Sequence, residues 1–180
     1  MTTRTSTLLA ITLILLGAAT RFLPHPANVA PIAAIALFSG AALRRWYAFV
    51  VPVAAMIVSD AVIGFHSIIW ATWGSFALSG VIGFWIRRRL TPTRVIAGSL
   101  ASSVLFSLIT NWAVWAYTPL YDKTLAGLGA SYVAAIPFFR NTVLGDLFYT
   151  GALFGLYALC AVALGRRMRP VIAHTNDGPR

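Results

Sequence analysis

Apolar runs long enough to become membrane helices alternate with short polar or proline-bearing breaks along almost the whole chain. Runs fall at residues 5–23, 29–43, 46–64, 67–86, 95–117 and 140–164. A helix crosses a bilayer with about 20 mostly apolar residues, so the pattern predicts an all-α membrane protein built as a six-transmembrane-helix bundle. Pro24-His25-Pro26 ends the first run, because proline lacks a backbone donor and restricts the residue before it. The second run is shorter and has Pro31 near its start. The third contains Pro52 and Asp60. A polar connection at residues 118–131 and an amphipathic stretch at 132–139 precede the sixth run. No internal repeat, low-complexity segment or soluble domain interrupts the series. Residues 1–168 therefore read as one transmembrane domain, and 169–180 as a short flexible cytoplasmic tail.

The basic residues give this bundle a direction. Threading six runs places Arg4, Arg44-Arg45, Arg87-Arg88-Arg89 with Arg94, Arg166-Arg167 with Arg169, and Arg180 on one side. Only Arg21, Lys123 and Arg140 fall on the other, a split of 11 against 3. The positive-inside rule makes the first side, and both termini, cytoplasmic. A second reading of the amino terminus is open: Arg4, the apolar residues 8–16 and Gly17-Ala18-Ala19 also fit a cleaved signal peptide. Either reading leaves the later spans in place.

Composition narrows the class further. The chain is 59% hydrophobic and 10% charged, with a mean hydropathy of +0.80, where a soluble domain carries roughly 25% charged residues. There is no Glu, and the acids are Asp60, Asp122, Asp146 and Asp177. The net charge of +10 sits at the ends of apolar runs, as an anionic lipid leaflet requires; no basic stripe interleaved with aromatics points to nucleic acid. The lone Cys160 lies in an apolar run and has no metal-cluster spacing around it.

Candidate chemistry gathers toward the outer half. Arg21, His25, Asn28, Asp60, His66, Asn111, Arg140, Asn141 and Asp146 come from separate segments yet share one depth. Thr142, Asp146, Tyr149 and Thr150 share one helix face, and Ser103, Ser107, Thr110, Asn111 and Trp115 another. Ionisable groups in a bilayer are costly and usually face a bundle interior or a water-filled cavity. The convergence predicts a cavity open to the outside that binds a polar solute from that side, with Trp73 and Trp115 stacking on it. Simpler readings exist for the parts. Serines bond their own helix backbone, the tryptophans form an interfacial belt, the histidines face water, and Asp60 or Asp146 pairs with Arg21 or Arg140.

Four motifs carry a family resemblance: residues 21–34 (RFLPHPANVAPIAA), 59–66 (SDAVIGFH), 110–115 (TNWAVW) and 136–146 (IPFFRNTVLGD). Together they resemble a family of small bacterial membrane proteins of unknown function. More distantly, the layout is similar to the BtuM-type vitamin B12 transporters, the S components of energy-coupling-factor transporters. That resemblance implies a multi-pass protein of the bacterial inner membrane with an outward-facing pocket for cobalamin or another corrinoid. His25, Asp60 and Arg140 match its polar pocket positions best. It also implies a coupling membrane protein and an ATPase as partners. The small-residue pairs Ala30/Ala34 and Ala36/Gly40 offer the docking face, and no phosphate-cradling glycine loop lets this chain hydrolyse ATP alone. One departure is clear: residues 68–75 lack the family's cobalt-ligating cysteine. A histidine such as His25 or His66 could ligate cobalt instead, and cobalamin enters only as cargo, not as a resident cofactor.

Two other functions compete with solute uptake. A structural or assembly subunit would use its polar groups for helix packing. A membrane enzyme would pair Asp60 with His66 as acid and base, but no nucleophile motif or metal spacing accompanies them.

Overall fold

A computed structural model describes residues 3–163 and Gly165; the third arginine cluster (Arg166, Arg167, Arg169) and the tail at 169–180 lie outside the described residues. The described chain is all-helical: α1 (Thr3–Thr20), α2 (Ile32–Ala42), α3 (Tyr47–Ile63), α4 (Ile69–Arg88), α5 (Pro92–Tyr117), α6 (Leu125–Ala134) and α7 (Ile136–Ala163). Helices α1, α4, α5 and α7 are long and apolar enough to cross a membrane. Large side chains such as Leu8, Leu15, Val62, Leu108, Phe148, Leu156 and Leu159 are exposed around the bundle, a belt that suits lipid far better than water. This is a multi-pass membrane architecture. Exposed Cys160 belongs to the same apolar belt.

The second expected span departs from the pattern. Helix α2 has 11 residues, which rise about 16 Å against a hydrocarbon core of about 30 Å. Pro31 sets its start, and the irregular segment 21–31 takes the place of a first half. Asn28 in that segment adopts φ 64°, a left-handed conformation that Asn tolerates better than most residues. Every residue of α2 is buried, as expected of a helix apolar on all faces. Its small residues are spent inside the bundle. A Cβ added at Gly40 would run into the Gly80 carbonyl of α4, and one at Gly83 into the Leu37 carbonyl of α2. The Ala36/Gly40 face is thus an internal seam rather than the docking surface its spacing suggested, and Ala34 is equally enclosed.

The connection before the last span differs too. Thr124 accepts from the Gly127 N–H at 3.1 Å and so caps α6 within the stretch expected to be a polar link. The Tyr132 hydroxyl donates to the Leu108 carbonyl at 2.9 Å, laying α6 against α5. Helix α7 starts at Ile136 with Pro137 in its first turn, where a missing donor costs nothing; residue 140 therefore lies inside the helix and not at its beginning. At the other extremity of the chain, α1 joins the bundle: Gly17 sits against Ile32, Ile35 and Ala55, and the Thr7 and Tyr47 hydroxyls are 2.8 Å apart.

The arginines of the α2–α3 and α4–α5 connections meet at one end. Buried Arg87 reaches across, donating through Nε to the Gly40 carbonyl at 2.9 Å and through Nη2 to the Leu43 carbonyl. It closes the C-terminal end of α2, whose last carbonyls lack helical partners, besides contributing to the basic cluster. Arg87→Met is expected to lower stability by about 1.5–3 kcal/mol, the scale of hydrogen bonds to a charged group. A shift in the thermal midpoint of the purified protein would report it, with Arg88→Met as the exposed comparison.

Candidate functional site

The opposite end of the bundle carries the polar groups. Arg21 follows the last residue of α1 and points its Nη1 at α3, donating to Asp60 Oδ1 at 2.5 Å and to Ser59 Oγ at 2.5 Å. Asp60 Oδ2 accepts from Trp73 Nε1 of α4 at 2.8 Å. The Asp60 side chain is 1% exposed and that of Arg21 18%. Both carboxylate oxygens are thus engaged in a closed network that ties α1, α3 and α4 together. Burial of an ion pair succeeds only when its remaining lone pairs are also satisfied, and Trp73 supplies that bond.

Beside this pair lie two cavities. The inner, about 160 Å³, is lined by Arg21, His25 and Asn28, by Ala30 and Ile32 at the start of α2, by Met56, Thr72, Phe76 and Phe106, and by Thr142 and Asp146. The second, about 380 Å³, adds His66, Ser107, Thr110 and Asn111. Arg21, Asn28, Thr72, Phe106 and Thr142 line both, so the two are neighbouring chambers of one hollow. Thr142 and Asp146 enter it from a single face of α7, one helical turn apart. Asp146 is 3% exposed and accepts from Ser103 Oγ of α5 at 2.7 Å. Phe76 and Phe106 stack with centroids 5.1 Å apart and form an apolar wall.

Residues 1–169 match the family of unknown function DUF6580. The chain belongs to this family. Neither the curated proteins nor the solved structures contain a match to it. The matched span includes every residue of both cavities.

In this DUF6580 chain the fold sorts the sequence candidates into three groups. Arg21, His25, Asn28 and Asp146 line the inner cavity, and His66 and Asn111 the second. Asp60 and Trp73 stand behind Arg21 and line neither; Trp73 orients a carboxylate here instead of stacking on a solute. Arg140, Asn141 and Trp115 are placed elsewhere. Arg140 is exposed on α7, because the helix begins four residues ahead of it and turns it off the cavity-facing stripe of Thr142 and Asp146. Asn141 Nδ2 donates to the Ala27 carbonyl at 3.2 Å, fastening segment 21–31 to α7. Trp115 Nε1 donates to the Asp122 carbonyl at 2.9 Å, and Lys123 Nζ donates back to the carbonyls of Trp115 and Thr118, so this tryptophan pins the α5–α6 turn. Trp70, Trp112 and Tyr117 pack edge to face with one another.

Several lining residues carried no distinctive signal. Met56, Phe76 and Phe106 are apolar residues within apolar runs, and the i, i+4 spacing of Thr72 and Phe76 could have placed those two on one face. Among the described residues no group of three His, Cys, Asp or Glu could hold a metal. The hydrogen bonds to the Asp60 carboxylate come from Arg21 and Trp73, and none comes from His66.

Proposed function

We propose that this DUF6580 protein is a solute-binding protein of the uptake type in a bacterial inner membrane, with the paired cavities as its site. One observation carries the reading: charged, amide, imidazole and hydroxyl side chains from α4, α5, α7, the 21–31 segment and the α3–α4 loop line a hollow at the end remote from the arginines of the α2–α3 and α4–α5 connections. Lipid-facing bundles place such groups around a solute or ion path. The positive-inside bias turns that end outward, and the energy for uptake would come from a coupling membrane protein and ATPase, as the S-component likeness implies. With α2 enclosed, such a partner would dock on the lipid-facing sides of the outer helices.

Size favours a solute smaller than a corrinoid. Ligand clefts of drug-sized molecules span about 300–1,000 Å³; the chamber of about 160 Å³ falls below that range and the one of about 380 Å³ near its lower end. A corrin ring with its nucleotide arm would require the helices to part. Cyanocobalamin therefore belongs in the binding screen as the candidate drawn from resemblance, beside smaller polar metabolites.

Thr72 lines both chambers, so Thr72→Trp is expected to fill them and weaken solute binding at least tenfold, about 1.4 kcal/mol, while the protein stays folded. Arg140→Ala is expected to bind as the unaltered protein does. Equilibrium binding to the purified protein checks both. A ligand that binds Thr72→Trp unchanged would place the site elsewhere.

The engagement of both Asp60 carboxylate oxygens favours a structural reading for Asp60 and Trp73, while Arg21 also lines the cavities. Asp60 lines neither cavity and donates no group to a solute, and its carboxylate is held by Arg21 and Trp73 rather than by His66.

A further inference from the structure

We infer that the inner cavity receives the head of a small zwitterion, its cationic nitrogen against Asp146 and its anionic group against Arg21 and the start of α2. This rests on the cavity being a solute site and adds the chemical class of the solute. Asp60 has both oxygens engaged, but Asp146 receives a single hydrogen bond, at Oδ2 from Ser103, and among the described residues it has no ion pair. A carboxylate that is 3% exposed in an apolar bundle needs a proton or a cation, and the Phe76 and Phe106 rings in the same lining suit an organic cation.

The same cavity also has unmatched donors. The hydrogen bonds of Arg21 all leave from Nη1, which leaves Nη2 and Nε without partners among the described residues, although Arg21 lines both chambers. Helix α2 starts at Ile32, and its N-cap Pro31 offers no side-chain cap. The amides of buried Ile32, Ala33 and Ala34 have no acceptor among the described residues. They point toward the N-terminal end, where Ala30 and Ile32 line the cavity, and a broken helix inside a bundle directs its positive end at anionic groups. A simple anion would confront Asp146, and a simple cation would confront the helix start; a zwitterion satisfies both. The volume of about 160 Å³ equals about five waters at ~30 Å³ each, enough for two charged groups on a short carbon link. The rest of the solute would extend past Thr142 toward Asn111 and His66.

The test measures binding of the full-length purified protein to four probe sets: α-amino acids and betaines, the matching carboxylates without nitrogen, the matching amines without carboxylate, and cyanocobalamin. Zwitterions alone are expected to bind tightly. Asp146→Asn should weaken them about tenfold or more and bring them level with the plain carboxylates. Arg21→Lys, which keeps a cation beside Asp60, should weaken zwitterions and spare amines; should it fail to fold, Asp146→Asn decides alone. Carboxylates, amines or cyanocobalamin binding as tightly as zwitterions, with Thr72→Trp blocking them, would overturn the class and leave the site standing. Sodium-dependent stabilisation that vanishes in Asp146→Asn, without zwitterion selectivity, would put an inorganic ion there and overturn it as well. Silence from all four sets would sink both readings.

Discussion

Asp60→Ala is expected to destabilise the detergent-solubilised protein by about 3–5 kcal/mol, the cost of leaving one member of a buried ion pair without its partner. Arg21 would keep only the Ser59 hydroxyl and Met56 sulfur as neighbours for Nη1, and Trp73 Nε1 would lose its acceptor in the same step. Three helices depend on this one carboxylate, so the effect should appear as a single large drop in thermal midpoint rather than as a loss confined to binding. Arg21→Met combined with Asp60→Leu should recover most of the loss, since removing both charges also removes their desolvation cost. A double-mutant cycle with a coupling energy near zero would show that the pair contributes nothing, and the structural role assigned to Asp60 would fall.

Gly80→Val is expected to cost about 3 kcal/mol or more, at the upper end of overpacking effects. A Cβ at Gly80 would strike the Ala48 carbonyl of α3, and Gly40 on α2 already presses against the Gly80 carbonyl from another side. Both obstacles are backbone, which cannot rotate away as a side chain can. Helix α4 would have to withdraw from α2 and α3 together, disturbing Thr72 and Phe76 at the cavity as well as Arg87 at the far end. Gly74→Ala and Gly151→Ala are the controls: nothing lies within 4 Å of an added Cβ at either position, and both should leave the midpoint almost unchanged. Unfolding transitions for the three variants provide the comparison, and equal midpoints would refute the close helix approach.

Run lengths and breaks made most of the helices legible, because in lipid every backbone amide must be paired within its own segment. Pro24 and Pro31 marked the interruption correctly, but nothing in residues 29–43 told a full span from a half-helix enclosed on all sides. Composition is the same in both cases. Helix α6 escaped notice since Gly127 and Gly129 made its segment read as a link, and the Thr124 cap with the docking of Tyr132 on α5 outweighed them.

The candidate site was legible in part for a related reason. Arg21, His25, Asn28, His66, Asn111 and Asp146 were recognisable because polar groups at that depth of an apolar chain need a purpose. Arg140, Asn141, Trp73 and Trp115 looked equal to them, yet they hold turns, backbone or another side chain, or face outward. A rotation of 100° per residue separates Arg140 from the stripe of Thr142 and Asp146, and the register of that rotation was set by a helix start that the sequence placed four residues late.

Sequence alone determined the solvent of this protein, the helical character of its spans and the common placement of the arginines between them, since these follow from transfer energies summed over local windows. Tertiary structure alone decided that α2 is a buried half-helix, that Arg21 pairs with Asp60, and that Asp146 has no ion pair among the described residues. Ion pairing is a choice among partners a few ångströms apart, and those distances come from glycine seams and helix rotations that no local pattern encodes.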